Sequence, residues 1–234
     1  MEIMDFYLKN FSQDQLMNLF VCSLSFISFL FMALFKGIFA TIDANVNSWS
    51  ASIQTSSFTQ IAEIVAYGFD TIPLLTASLL IGAYLFYKNY KKNAFLLVGA
   101  MGGDAVIVTM IKTLVHSERP LNGIMMETGF SFPSGHVTSS IVFFGLLSYF
   151  VRQHWKSSKT KILSSMFFVI ITFFVGFSRV YLNVHWFSDV LGGYLLGIFW
   201  LTFSIWAFKH AYLKGIMEVS RDKSVQVQKR TEDS

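Results

Sequence analysis

The chain contains few charged residues, one cysteine and three prolines. Of its 234 residues, 14% are charged, whereas soluble domains carry about 25%. This shortage excludes an ordinary soluble enzyme with a charged surface. The single cysteine, Cys22, lies within the first apolar run, so a disulfide framework and a cysteine metal site are excluded. The net charge of +4 is divided among short patches between apolar runs, so it does not indicate nucleic acid as a partner.

Apolar residues are abundant instead, and they occur in long runs. They make up 53% of the chain, and residues 16–35 contain no charge at all. A helix that spans a bilayer needs about 20 predominantly apolar residues. We therefore predict an all-α integral membrane protein, a bundle of six helices in the lipid bilayer. The predicted spans cover residues 16–37, 71–87, 94–115, 137–151, 162–179 and 186–208.

Lysines and arginines between the spans predict the orientation of the bundle. They follow the second and fourth spans and recur in the C-terminal tail, and loops rich in these residues stay in the cytoplasm. We therefore predict a cytoplasmic N-terminal segment at residues 1–15, one membrane domain at residues 16–208, and a cytoplasmic, disordered tail at residues 209–234. The outward-facing loops are then 38–70, 116–136 and 180–185.

The first outer loop is long enough to contain a helix. Phe58, Ile61, Val65 and Phe69 recur in it at helical spacing, which predicts a short amphipathic helix. We expect this helix to pack on the bundle or to lie at the membrane interface.

Polar and ionisable side chains concentrate in three segments of this apolar chain. Such residues are rare in membrane spans and mark functional sites where they occur. The predicted topology places all three segments at the outer face of the membrane, so we expect the active site there. The segments read Lys112-x6-Arg119-Pro120, Pro133-Ser134-Gly135-His136 and Ser178-Arg179-x5-His185-x3-Asp189.

Three cations in these segments indicate that the protein binds an anion. Arg119 and Arg179 each offer a planar fork that matches phosphate oxygens, and Lys112 offers a point charge. Ser134 and Gly135 precede an apolar helix, where free backbone amides and the helix dipole favour an anion. Gly135 also lets the backbone approach a ligand closely. These five residues form a candidate phosphate site.

Two histidines and an aspartate can supply the chemistry of phosphoryl transfer. His185 and Asp189 are four residues apart, which places them on one face of a helix. An aspartate that accepts from one ring nitrogen leaves the other nitrogen free to attack phosphorus. His136 is a second imidazole, suited to protonating the leaving oxygen. The segments contain no evident set of metal ligands, and the three cations can stabilise the charge that a magnesium ion would otherwise stabilise.

The three segments resemble the signature of the type 2 phosphatidic acid phosphatase superfamily. That signature reads K-x6-R-P, P-S-G-H and S-R-x5-H-x3-D, and the sequence matches it at every position, within a resemblance that covers residues 55–208 approximately. The resemblance implies a membrane phosphatase that needs no metal and no other cofactor. It implies that His185 is the nucleophile, Asp189 its partner and His136 the acid–base residue. The phosphate-binding residues that it implies are Lys112, Arg119, Ser134, Gly135 and Arg179.

The sequence leaves the substrate open among lipid phosphates. The predicted outward-facing site favours hydrolysis of undecaprenyl diphosphate to undecaprenyl phosphate, a reaction known in the superfamily. Phosphatidylglycerophosphate or phosphatidate is the alternative substrate. A non-catalytic lipid-phosphate binder or transporter would use the same cations, but it would not need a His–Asp pair and a second histidine. The oligomeric state is not predicted.

Four further polar residues lie near the three segments. Asp104, within the third span, is expected to anchor a buried network or to tune the site. Glu118 either orients the guanidinium of Arg119 or is a solvated loop charge. His116 and Trp186 are expected at the membrane interface.

Overall fold

A computed structural model describes the backbone of residues 13–232 and the side chains of residues 15–211. Over this part of the chain every regular element is a helix, which confirms the predicted all-α class. The α-helices are α1 (Gln13–Leu34), α2 (Ala40–Ser52), α3 (Ser56–Gly68), α4 (Thr71–Tyr87), α5 (Lys91–Val115), α6 (Gly135–His154), α7 (Ser158–Tyr181) and α8 (Phe187–Glu232), with a 3-10 helix at Lys36–Phe39.

Four of these helices, α1, α5, α7 and α8, are long and apolar enough to cross a membrane. Helices α3 and α4 together form a fifth candidate span, bent by 49°. The protein is therefore a multi-pass membrane protein, as predicted. Each of the six predicted spans corresponds to a helix, but the span at residues 137–151 belongs to α6, which is not among the five candidates.

Helix α6 is less apolar because it lies in the interior of the bundle. It packs against α4, α5, α7 and α8, and its early polar residues Thr138, Ser139 and Ser140 are all buried. Side chains on such a helix contact protein instead of lipid, so they need not be apolar. The count of six spans in the predicted bundle is therefore approximate.

Two glycines of α8 allow α6 and α8 to cross closely. A Cβ atom added at Gly193 would lie 2.9 Å from the Ser134 carbonyl oxygen, and one added at Gly197 would lie 2.8 Å from Ile141 Cβ. Both distances are shorter than the van der Waals contact of about 3.5 Å that atoms prefer. The close crossing brings the beginning of α6 next to the beginning of α8.

The outer surface of the bundle is strongly apolar. Large side chains such as Phe20, Leu80 and Phe167 are more than half exposed on α1, α4 and α7. Contiguous exposed apolar surface of this kind marks contact with a membrane or a partner. Leu97, Met101 and Leu146 instead fill a core between α5 and α6.

The N-terminal part of the chain packs on the later helices. Helix α1 lies along α8, and α2 contacts α7 and α8. Helix α2 was not predicted, because the sequence of Ala40–Ser52 has no clear apolar stripe. Helix α3 confirms the predicted amphipathic helix, and it packs on α7 through the small residues Ala62 and Ala66, while Phe58 and Ile61 point outward.

The C-terminal tail differs from the sequence expectation. Helix α8 continues to Glu232, whereas we expected disorder from residue 209. The segment contains no proline and is rich in Lys, Arg, Gln and Glu, which favour helix. The side chains beyond residue 211 and the N-terminal segment at residues 1–12 lie outside the described residues.

Candidate active site

The three polar segments meet at one end of the bundle. The backbone amide of Ser134 donates to the Asp189 carbonyl (3.0 Å), which joins the second segment to the third. Arg119 Nη1 donates to the Val184 carbonyl (2.8 Å), which joins the first segment to the third. The fold therefore brings together residues that lie up to 77 positions apart in the chain, as Lys112 and Asp189 do.

His185 and Asp189 are buried side by side at the beginning of α8. His185 Nδ1 lies 3.4 Å from Asp189 Oδ2, and the same oxygen accepts from the backbone amide of Trp186 (2.9 Å). The His–Asp contact is too poorly aligned for a hydrogen bond, as is common at catalytic pairs without substrate. The other ring nitrogen, Nε2, lies 3.2 Å from Arg119 Nη1. One nitrogen therefore faces the carboxylate and the other faces a cation.

The surroundings of His185 keep its imidazole neutral. Burial lowers the pKa of His185 well below its ordinary value of 6.5, and the positive charges of Arg179, Arg119, Lys112 and Lys36 act in the same direction. A neutral imidazole has a lone pair on one ring nitrogen. Because Nδ1 faces Asp189, we assign the proton to Nδ1 and the lone pair to Nε2.

His136 is buried at the beginning of α6, and its partner is a residue that the sequence did not reveal. His136 Nε2 lies 3.3 Å from Asp70 Oδ1. Asp70 is the N-cap residue of α4, where the same oxygen accepts from the Thr71 amide (2.6 Å). An Asp directly before an apolar helix is an N-cap signal, so the helix start was detectable but its contact with His136 was not.

Arg179 is fully buried, and two of its nitrogen atoms have no hydrogen-bond partner among the described residues. Its Nη2 donates to Glu127 Oε1, while Nε and Nη1 have no partner among the described residues. A buried donor without a partner costs about 1–3 kcal/mol, more when charged. An anion that accepts from Nε and Nη1 would remove this cost, which agrees with the predicted phosphate-binding role.

Arg119 is held in place by the loop that follows it. Its Nε donates to the Gly129 carbonyl (3.0 Å), and its Nη2 lies 3.7 Å from Glu127 Oε2. Glu127 therefore contacts both arginines. Glu118 was expected either to orient the guanidinium of Arg119 or to be a solvated loop charge. Its side chain makes no ion pair in the described part of the chain, and its backbone carbonyl accepts from Trp186 Nε1 (2.8 Å).

Ser134 and Gly135 form the beginning of α6 within the same cluster. The Ser134 side chain does not cap the helix, and its buried hydroxyl has no partner in the structure as described. The first amides of an α-helix have no partner within the helix. A Cβ atom at Gly135 would make only ordinary contacts, 3.4 Å from Thr71 Oγ1 and 3.5 Å from Val108 Cγ1, so the protein itself does not require glycine there.

Lys112 and Asp104 both lie on α5, at different depths. Lys112, in the last turn, interacts electrostatically with Arg119, Glu127, Asp189 and Arg179, so it belongs to the cluster. Asp104 is fully buried, and its Oδ2 accepts from Ser139 Oγ (2.6 Å). Asp104 therefore makes a buried polar contact between α5 and α6, and its role, as part of a network or in tuning the site, stays a prediction.

Two N-terminal residues, which were not among the predicted site residues, contact the beginning of α8 at the site. Lys36 Nζ lies 2.5 Å from Asp189 Oδ1 and also donates to Ser117 Oγ. Asp43 accepts from the amide and the hydroxyl of Ser188 (2.8 and 2.6 Å). A lysine directly after an apolar run is typical of a residue at the membrane interface. The contact between Lys36 and Asp189 is therefore evident only from the packing of α1 along α8.

Comparison with known proteins assigns the chain to a family. The family model of the PAP2 superfamily matches residues 93–212, which is just over half of the chain. The chain belongs to the PAP2 superfamily. This segment contains all eight predicted site residues of the PAP2 protein, whereas Lys36, Asp43 and Asp70 lie before it.

The chain is similar to one curated protein sequence and to one solved structure. Phosphatidylglycerophosphatase B of Bacillus subtilis (strain 168) is 34% identical over 127 residues, which are 53% of this chain and 63% of that protein. This chain therefore covers less than two thirds of the length of that relative. The crystal structure of a transmembrane PAP2 type phosphatidylglycerolphosphate phosphatase from Bacillus subtilis matches with a TM-score of 0.75 and 25% identity, over 81% of this chain and 96% of that chain.

Proposed function

We propose that this PAP2 protein is a lipid phosphatase that hydrolyses a lipid phosphate or diphosphate through a phosphohistidine on His185. The observation that supports the proposal is the position of the buried imidazole, whose Nδ1 faces Asp189 and whose Nε2 faces Arg119. Burial of an aspartate is costly, and a protein that only binds lipid phosphate would gain nothing from it. A reaction that places positive charge on the ring would use it.

In the first half of the reaction His185 is the nucleophile. The lone pair on Nε2 attacks phosphorus, and the bond between phosphorus and the leaving oxygen breaks. Nδ1 keeps its proton and donates towards Asp189, so the carboxylate balances the charge that develops on the ring. His136 begins this half as an imidazolium, which Asp70 and the bound anionic phosphate stabilise, and it becomes neutral when it gives its proton to the leaving oxygen. Arg119 and Arg179 stabilise the negative charge on the other phosphate oxygens.

In the second half a water molecule restores the enzyme. Its oxygen attacks phosphorus, the bond between phosphorus and Nε2 of His185 breaks, and inorganic phosphate leaves. His136, neutral after the first half, takes the proton from the water. Asp70, 3.3 Å from His136 Nε2, stabilises the imidazolium that forms. Lys112, Ser134, Arg179 and the first amides of α6 hold the phosphate in both halves.

Phosphatidylglycerophosphate is the first substrate to test. The two relatives are named as phosphatases of this lipid. Undecaprenyl diphosphate, which the sequence analysis favoured, is the second, because loops rich in lysine and arginine at the opposite end of the bundle favour an outward-facing site. Both lipids carry a phosphate at the membrane surface, where the three polar segments meet. We propose that the site faces outward and that both termini are cytoplasmic.

Phosphate release by the purified protein tests the proposal. The full chain in detergent with EDTA is given phosphatidylglycerophosphate, undecaprenyl diphosphate or phosphatidate in parallel. We expect release from at least one lipid, with no requirement for a metal, because the cations of the site supply the positive charge. His185→Ala should lower the rate by at least about 1,000-fold, as removal of a nucleophile does.

A second histidine provides the matched control. His154 lies at the other end of the bundle, in the last turn of α6, and His154→Ala should release phosphate at the wild-type rate. No release from any of the three lipids by folded wild-type protein would favour the binder or transporter. Equal rates in His185→Ala and the wild type would exclude the phosphohistidine.

A further inference from the structure

Asp189 has a separate partner for each of its carboxylate oxygens. Oδ2 faces His185 Nδ1 and accepts from the Trp186 amide. Oδ1 lies 2.5 Å from Lys36 Nζ, and this lysine also donates to Ser117 Oγ. The Asp189 side chain is completely buried, while that of Lys36 is 18% exposed. Lys36 thus extends from the surface into the site and ends on the oxygen that His185 does not face.

The same N-terminal segment makes a second contact with the beginning of α8. Both oxygens of the buried Asp43 accept from Ser188, one from its amide and one from its hydroxyl. Ser188 and Asp189 are adjacent, so two consecutive residues of α8 are fastened to Lys36 and Asp43. A helix N-terminus with free amides is stabilised by a carboxylate placed there. These contacts fix both the backbone and the side chain of the residue that orients His185.

The positive charge of Lys36 stabilises the buried carboxylate of Asp189. A buried carboxylate without a partner of opposite charge is strongly unfavourable. In the described part of the chain, Lys36 supplies the permanent positive charge in direct contact with Asp189, since the imidazole of His185 is neutral. Without Lys36, Asp189 Oδ1 would lose its charged partner, and the Trp186 amide and Ser131 would remain to hold the carboxylate.

We propose that Lys36 is a positioning residue, which holds Asp189 in the rotamer that presents Oδ2 to His185 Nδ1. Lys36 lies outside the segment that matches the family model, residues 93–212, so the N-terminal segment becomes part of the active site. The proposal rests on the proposed function, because it assigns Lys36 a role in the attack by His185. Lys36 acts through Asp189 and does not touch the substrate.

Steady-state kinetics of three single variants form the first part of the test. Lys36→Met keeps the length of the side chain and removes its charge, and we expect kcat to fall by about 10- to 100-fold, as loss of a residue that orients a reactive group does. KM should change by less than about threefold, because the phosphate ligands are intact. Lys36→Arg should recover most of the activity. Lys159→Met, an exposed lysine at the opposite end of the bundle, should behave as the wild type.

A double-mutant cycle separates positioning from a general structural role. If Lys36 acts through Asp189, then Lys36→Met should change kcat by less than about twofold in an Asp189→Asn background, because coupled residues are not additive. A lysine that only stabilises the fold would cost the same factor in both backgrounds. Full additivity, or wild-type kcat in Lys36→Met, would overturn the proposal.

The pH profile gives a readout that a structural role would not move. The charged and titratable groups around His185 are Lys36, Lys112, Arg119, His136, Arg179 and Asp189. Removal of the Lys36 charge leaves one cation fewer around His185, and this change favours the protonated ring. The acid limb of kcat/KM should therefore move to higher pH in Lys36→Met and stay in place in Lys36→Arg.

An NMR titration keeps the test independent of turnover. In protein labelled with 15N-histidine, the His185 resonance is identified by its absence in His185→Ala. The pH at the midpoint of the His185 titration should be higher in Lys36→Met than in the wild type, and unchanged in Lys159→Met. If the wild-type protein released no phosphate from any lipid, the proposed phosphatase would be refuted, but this titration would still be valid. An unchanged His185 midpoint in Lys36→Met would refute the role of Lys36 alone.

Discussion

Four positive charges surround the buried imidazole of His185: Lys36, Lys112, Arg119 and Arg179. Each charge disfavours the protonated ring, and three of them, Lys112, Arg119 and Arg179, are also the proposed phosphate ligands. The proposed phosphate site and the lone pair on Nε2 therefore depend largely on the same side chains. Among the described residues, Asp189 faces the ring with negative charge, on the side away from Arg119, so the two nitrogens of the imidazole have different partners.

Arg179 is the proposed phosphate ligand whose replacement should be most informative. Arg179→Lys keeps the charge and removes the fork that carries Nε and Nη1, and we expect kcat/KM to fall by about 100-fold, comparable to the loss of one transition-state donor. Initial rates on the best lipid substrate measure the effect. Arg152→Lys, at the other end of the bundle in α6, is the matched control and should leave the rate unchanged.

The lowered pKa of His185 predicts the acid limit of activity. Protonation of the ring removes the nucleophile, and because burial moves the pKa of His185 well below 6.5, the enzyme should stay active as the pH falls through 6.5. Activity should be lost only as the pH approaches the lower value. Measurement of kcat/KM between about pH 4 and 8 checks this. An acid limb that is centred at or above 6.5 would contradict a neutral buried His185.

The sequence was enough to predict the eight candidate site residues from three short motifs, and the structure brings these motifs together at one end of the bundle. It was not enough for Lys36, Asp43, Asp70 and Glu127, whose functions depend on contacts between distant parts of the chain. Asp70 and His136 are 66 positions apart, and Lys36 and Asp189 are 153 apart. A charge near a predicted outer face was visible in each case, but which group it meets is decided by helix packing.

Among the elements, α6 and α8 position the chemistry. The beginning of α6 carries the proposed phosphate ligands Ser134 and Gly135, the beginning of α8 carries Asp189, and the hydrogen bond from the Ser134 amide to the Asp189 carbonyl joins them. Apolar runs in the sequence predicted both helices. Their close crossing was not predictable, because it depends on which face of each helix turns towards the other and on glycines that meet backbone there.

Gly193→Ala should disturb the site through this crossing. The new Cβ would lie 2.9 Å from the Ser134 carbonyl oxygen and 3.0 Å from Val137 Cβ, and rigid backbone has to move to accept it. We expect a loss of about 1–3 kcal/mol in stability and a lower kcat, measured by thermal unfolding in detergent and by phosphate release.

Gly102→Ala is the control for that substitution. A Cβ atom at Gly102, in the middle of α5, would meet nothing within 4 Å, so the alanine should stabilise the helix by up to about 1 kcal/mol and leave kcat unchanged. Equal stability losses in the two variants would contradict the close crossing of α6 and α8.

At the scale of the whole molecule, the bundle has two chemically different ends. One end contains the proposed phosphate site, and the other contains the lysines and arginines that follow the second and fourth predicted spans. An end rich in lysine and arginine stays in the cytoplasm. The lipid phosphate would then bind at the outer surface of the membrane. Part of that site would be formed by N-terminal residues, which lie outside residues 93–212, the segment that matches the family model.

Cysteine labelling tests this orientation, because the natural chain has a single cysteine. In a Cys22→Ser background, Leu121→Cys places a thiol in the exposed loop beside the site, and Lys156→Cys places one at the other end. A membrane-impermeant maleimide should label the first in intact cells and the second only after permeabilisation. The reverse pattern would place the active site in the cytoplasm.

The most direct test of the proposed reaction is to trap the phosphorylated residue. Wild-type protein is mixed briefly with phosphatidylglycerophosphate labelled with 32P in the terminal phosphate and quenched in alkaline detergent, which preserves phosphohistidine. We expect the label on the peptide that contains His185, with none in His185→Ala and wild-type labelling in His154→Ala. Label on another residue, or phosphate release by His185→Ala at the wild-type rate, would contradict a phosphohistidine at His185.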